Sequence, residues 1–301
     1  MKNISFYAKA ALVLATIIWG TSFVIIKDTV DLISPNYLMA LRFTGAFILL
    51  CVIFFKKLGK INFETLWQGA LIGVFLYLAY YWQTFGIMFT TPGKNAFLTA
   101  VYCVLVPFLA WISKGPRPDR WNLIAAIMCI TGIGLISLNG DFAIGKGDFY
   151  TLIGGFFFAC HMVAVAKFAK GKDPIIITIL QFASAAVCFW ATTLISEGVP
   201  EAVTADVIPA VIYLCLFCTA TALLLQNFGQ KHTLPSSAAL ILSLESVFGT
   251  FFSAILGREN LTIRMICGFA LIFFAIIVSE TKFSFLSKKR SESDVSCKSD
   301  R

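Results

Sequence analysis

Ten runs of apolar residues, each about 17–25 long, follow one another along this chain, near 8–27, 37–55, 66–87, 94–113, 121–139, 148–168, 174–196, 207–229, 234–256 and 262–281. Only short polar or Pro/Gly breaks separate them. At about 1.5 Å of rise per residue, a helix of this length crosses the ~30 Å hydrocarbon core of a bilayer. The runs are continuous rather than alternating, and lipid offers no partner to the open backbone groups of a strand, so helices are predicted. Composition agrees, with 58% hydrophobic and 13% charged residues and 30 phenylalanines among 301. The expected fold class is an all-α integral membrane protein with ten transmembrane helices.

Lysine and arginine orient the helices. With the N-terminus placed in the cytoplasm, the inside segments hold 18 of these residues and the outside segments 5 (Lys27, Lys94, Lys146, Arg258 and Arg264), with Arg42 left inside a span. The positive-inside rule then puts both termini in the cytoplasm of a multi-pass protein of the cell (inner) membrane. The net charge of +8 is explained by this asymmetry and requires no nucleic acid. Residues 1–27 begin basic and turn apolar like a secretory signal, but the run is long, lacks an A-x-A cleavage pattern and precedes nine more, so a retained helix is expected. The lysine-rich residues 282–301 are expected to form a disordered cytoplasmic tail.

Eight of the nine cysteines fall within the apolar runs, Cys297 alone lying in the tail. "CLFC" at 215–218 has C-x-x-C spacing but no second pair, so these are read as small packing residues. No metal and no cofactor are expected.

The chain writes one stretch twice. "QTFGIMFTTPGKNAFL" (83–98) aligns without a gap on "QNFGQKHTLPSSAALI" (226–241) at an offset of 143, so that Gln83/Gln226, Phe85/Phe228, Gly86/Gly229, Thr90/Thr233, Pro92/Pro235 and Ala96/Ala239 coincide. "SPNYLMALRF" (34–43) aligns on "DPIIITILQF" (173–182) at 139, pairing Pro35 with Pro174, Arg42 with Gln181 and Phe43 with Phe182. The expected organisation is a first five-helix repeat over 1–140 and a second over 141–281. Five is odd, so the second repeat enters the membrane from the opposite side. Inverted repeats of this kind serve alternating access, in which two alike halves exchange conformations. The paired Pro-containing turns would then be two mirror-placed gates.

"WGTSFV" (19–24), "LRFTGA" (41–46), "YYWQTFGIMFTTPGKNAFLTAVYCVLVP" (80–107) and "ALILSLESVFGTFFSAILGRE" (239–259) resemble the EamA-type branch of the drug/metabolite transporter superfamily over essentially all ten spans. The resemblance implies a ten-helix bundle that transports small metabolites, often outward, without specifying the substrate. This chain reads Glu245-Ser246 where the family has Glu-Pro.

Polar side chains inside the spans are the candidate site residues, because an ionisable group at mid-depth costs roughly 2.5–3.5 kcal/mol on insertion scales. Glu245 is expected about 16 Å from either surface, at the centre of a continuous ninth span, as a proton-exchanging or cation-binding carboxylate or as a structural hydrogen-bonding group. The offset of 143 sets Tyr102 opposite it, and Tyr102 shares a helical face with Thr99 and Asn95, either facing a wet cavity or forming a seam between helices. Gln83 and Gln226 can orient a polar substrate or close a gate. Tyr81 and Trp82 are read as an interfacial belt. Arg42 is expected to snorkel to headgroups, pair with an acid or hold an anion. His161 is either a titrating cavity residue or a packed hydrogen bonder. Trp19 and Ser22 belong to the first motif, where Gly20 permits close helix approach, as does the Gly69/Gly73 pair.

The leading expectation is therefore a secondary transporter, exporting small metabolites such as amino acids or related amphipathic compounds by alternating access, with proton coupling an open option. A nucleotide-binding loop of the G-x-x-x-x-G-K-[ST] type is absent from the sequence. The alternative is an integral-membrane enzyme or flippase acting on a lipid-linked intermediate, though the short loops carry no His/Asp/Glu cluster. The expected partners are a small-molecule substrate and the lipid bilayer, with no nucleic acid and a homodimer left open.

Overall fold

The structure is a computed structural model that describes residues 2–137, 144–169, 171–199, 205–232 and 241–281. The described residues are helical with no strand among them. In chain order the helices are α1 (Lys2–Thr29), α2 (Pro35–Ile53), the single turn α3 (Phe55–Leu58), α4 (Phe63–Met88), α5 (Pro92–Ala100), α6 (Tyr102–Ile112), α7 (Arg120–Ser137), α8 (Lys146–Phe168), α9 (Pro174–Thr192), α10 (Val207–Tyr213), α11 (Ala222–Lys231), α12 (Leu244–Ile255) and α13 (Ile263–Thr281). Eight helical segments are long and apolar enough to span a bilayer, and the shorter Leu244–Ile255 and Ile263–Ser279 stand where the ninth and tenth runs were read. The repeat boundary at 140/141, the turn at 233–236 and the tail after Thr281 lie outside the described residues.

Helix starts follow local chemistry. Pro35, Pro92 and Pro174 each occupy a first helical turn, where the missing N–H has no intrahelical partner to lose. Asn62, Thr91 and Asp173 cap α4, α5 and α9 by accepting from backbone amides. Several spans are not uniform α-helix. The fourth tightens at Val101, where the Val104 amide donates to the Val101 carbonyl at 3.0 Å. The seventh ends and the eighth is interrupted in π-turns, at Thr193–Glu197 and Leu214–Thr221.

Two clusters form the core. In one, α2 and α9 run antiparallel, with Tyr37 against Trp190 and Phe43 stacked on Phe189 at 5.6 Å. Phe43 also meets Phe182, its partner in the sequence alignment of the two halves, at 5.8 Å. In the other, Phe97 stacks on Phe269 and α13 packs on α7. The Gly69/Gly73 pair lets α4 approach α9 closely, since a Cβ on Gly73 would lie 2.5 Å from the Gln181 carbonyl oxygen.

Polar ties gather at the two ends of the bundle. At one end Arg258 pairs with Asp28 at 2.9 Å, Thr90 donates to Asp148 at 2.5 Å, and Asn36 donates to Glu197. At the other, Lys57 pairs with Asp173 at 2.6 Å and Lys172 bridges Glu64 and Gln68.

Candidate functional site

Eight of the ten residues singled out in the sequence line one cavity: Trp19, Ser22, Gln83, Thr99, Tyr102, His161, Gln226 and Glu245. They arrive from α1, α4, α5, α6, α8, α11 and α12, on both sides of the expected repeat boundary. Phe23, Leu76, Tyr80, Phe158, Met162 and Leu223 complete the wall, around a space of about 640 Å3 that includes its open mouth. A mostly apolar wall with a few converging polar groups is the ordinary form of a small-molecule site.

Glu245 stands in the first turn of α12, not at the centre of a continuous helix as the sequence reading had it. The chain turns at Ser243, where the Ser246 amide donates to the Ser243 carbonyl at 3.2 Å and the Ser246 hydroxyl to the same oxygen at 2.7 Å. Serine thus occupies the expected proline position and holds the turn by hydrogen bonding. A helix N-terminus presents amide dipoles that favour a carboxylate, which eases the cost of burying Glu245, only 8% exposed. Tyr102 stands on the same cavity wall as Glu245, close enough for the two side chains to act on each other. Tyr102 likewise opens a half-helix, α6, just past the turn at Val101. The two residues aligned by the 143 offset therefore meet, each at a break in its span.

The stripe Asn95–Thr99–Tyr102 divides its work. Gln83 Nε2 donates to Thr99 Oγ1 at 3.1 Å, which fixes the glutamine amide at the cavity wall. Asn95 does not line the cavity. Its Nδ2 donates to the Gln83 carbonyl at 3.1 Å and to Thr151 Oγ1 at 2.7 Å, joining α5 to α4 and α8. Trp19 Nε1 donates to the Cys218 carbonyl at 2.8 Å, and Ser22 donates to the Trp19 carbonyl. His161 Nε2 is 2.9 Å from Gln181 Oε1, so the ring both faces the cavity and is packed into a hydrogen bond.

Arg42 corrects an expectation. Its side chain does not snorkel: it is fully buried and absent from the cavity wall. Nε donates to Thr219 Oγ1 at 2.5 Å and Nη2 to the Cys218 carbonyl at 3.3 Å. The π-turn at 214–221 accounts for these acceptors, because i→i+5 winding shifts carbonyls out of the ordinary helical ladder. None of the four ion pairs among the described residues includes Arg42.

Sequence reasoning gave no role to Glu259, although it ends the quoted "GRE". The structure buries it in the α12–α13 connection, where it accepts from Thr91 Oγ1 at 2.5 Å, the Gly93 amide at 2.9 Å and Ser253 Oγ at 3.2 Å. It thereby ties the start of α5 to the end of α12. The only sequence signal was an acidic residue two positions past a glycine at a helix end.

A multi-pass helical bundle whose spans break around a cavity with a few converging polar groups is the architecture of a membrane transporter. The chain belongs to the EamA-like transporter family, whose model matches it over residues 7–138 and 145–281. It is 30% identical to an uncharacterized transporter of Archaeoglobus fulgidus, over 90% of this chain and 85% of that one. It is 24% identical to the uncharacterized transporter YoaV of Bacillus subtilis, over 89% of this chain and 95% of that one. A protein of known crystal structure superimposes with a TM-score of 0.65 at 16% identity, over 90% of this chain and 96% of that one, a likeness of fold alone.

Proposed function

We propose that this transporter is a secondary exporter of small polar or amphipathic metabolites, amino acids among them, working by alternating access in the cell (inner) membrane with both termini in the cytoplasm. Its halves would be two inverted five-helix repeats, 1–140 and 141–281. The two matched segments support this, as do the contacts between aligned residues, Phe43 with Phe182 and Tyr102 with Glu245.

The observation that carries the reading is Glu245, a carboxyl buried at the wall of a cavity built from both segments. A carboxyl there can hold a proton or face a substrate cation, and the two occupants exclude each other at one site. Exchange between them couples a proton gradient to transport.

Uptake into proteoliposomes under an imposed pH gradient, normalised to folded protein, tests this. Glu245→Gln keeps the shape and the hydrogen bonding, and should insert normally, lose gradient-driven uptake and keep downhill exchange. Glu245→Asp, one methylene shorter, should be partly active. Full gradient-driven uptake by the Gln variant would overturn proton coupling at this residue.

A further inference from the structure

Arg42 is a full positive charge inside the bundle with no carboxylate facing it among the described residues. Thr219 and the Cys218 carbonyl take two of its N–H groups, while Nη1 is buried without a partner. Burying an unneutralised charge is costly, so an incomplete set of partners asks for an explanation. The guanidinium lies over the ring of Tyr80, 4.8 Å from its centroid. Tyr80 in turn lines the cavity. One aromatic side chain therefore stands between the charge and the space where a substrate would sit.

The position of the charge matters. A cation held against an aromatic face draws electron density from the ring, so the phenolic proton of Tyr80 is a stronger donor than it would be without Arg42. The rings of Phe43 and Phe158, 5.3 and 5.1 Å from that of Tyr80, hold it in place and offer no competing acceptor. On the same cavity stands Glu245, which acts electrostatically on Tyr80 together with Arg42. The wall thus carries one carboxyl group and one donor backed by a positive charge.

We propose that Tyr80, positioned and polarised by Arg42, is a carboxylate-binding subsite, and that the substrate is a small zwitterion whose ammonium faces Glu245 while its carboxylate accepts from Tyr80. This rests on the transporter reading above and narrows its substrate class. Arg42 is a positioning residue, and Tyr80 makes the contact.

The test uses the full chain in lipid nanodiscs. The probes are the standard amino acids, each compared with its decarboxylated amine and its carboxamide, and binding is read by ligand-induced shift of thermal unfolding. At least one amino acid should bind about tenfold or more tightly than its amine and its amide, the loss expected when a charge-assisted hydrogen bond has no partner. Tyr80→Phe and Arg42→Gln should each remove that preference, so that the amino acid binds no more tightly than its amine, with Arg42→Lys restoring part of it. A merely structural Arg42 would lower the unfolding temperature of the free protein without moving the ratio, and Tyr80→Phe, which keeps the ring packing, decides the case if Arg42→Gln does not fold. Absence of binding by every amino acid, or a carboxylate preference untouched in Tyr80→Phe, overturns the proposal. Proteoliposome transport of the amines with no carboxylate preference would sink the subsite and spare the transporter reading. Carboxylate-dependent binding without any transport would do the reverse.

Discussion

Asn95, Thr99 and Tyr102 share one helical face in sequence, yet each has a different neighbour. Asn95 is fully buried and donates to two groups on two other helices. Asn95→Ala would remove both of these buried bonds, so a loss of about 1–3 kcal/mol is expected. Thermal unfolding in detergent measures it, and an unchanged midpoint would mean that water replaces the amide. Thr99→Val is expected to act differently. It keeps the volume and releases only the Gln83 amide, so ligand affinity should fall more than stability. Spacing placed these residues on one face. It could not say which of them reaches the cavity, because that depends on the rotation and tilt of α5 against α4 and α8.

Two carboxylates that tie element ends together have opposite pH signatures. Burial pushes the Glu259 carboxyl above its ordinary value of 4.5, against the hydrogen bonds from Thr91, Gly93 and Ser253. A raised folded value means that the folded state holds the proton more tightly than the unfolded state. The stabilisation is then complete below the ordinary value and is lost as pH rises through the folded one. Glu259→Gln should therefore gain stability relative to the parent as pH rises from about 4 to about 7, as read by thermal unfolding in detergent. A relative loss over that range would show that the latch needs the ionised form. Burial also pushes Asp173 upward, but the Lys57 ammonium and the Ile175 amide outweigh it and hold the carboxyl below its ordinary 3.8. Its contribution is present above that value and disappears as pH falls through the folded one. Both side chains are about a third exposed, so Asp173→Asn should cost no more than about 1 kcal/mol at neutral pH and nothing in acid. Neither tie was visible in the sequence, since each joins residues more than a hundred positions apart.

For the whole molecule, the lysine and arginine asymmetry predicts that reporter fusions after residue 60, after residue 118 and at the C-terminus read cytoplasmic, while fusions near 32, 93, 143 and 202 read external. A C-terminus found outside would break the five-plus-five arrangement and alternating access with it. What the sequence determined by itself was the solvent and the secondary structure: long unbroken apolar runs in lipid must close their own backbone hydrogen bonds, and only helices do so within one segment. It also carried the alignment of the two halves, because duplicated residues keep their order. Assembly decided the rest. Glu245 and Tyr102 each begin a half-helix and meet there, Arg42 turns inward to a π-turn rather than outward to headgroups, and Glu259 closes one end of the bundle. In lipid every face of an apolar helix is equally soluble, so hydropathy leaves rotation and partners undetermined. Packing, and the need of each buried polar group for a partner, selects them.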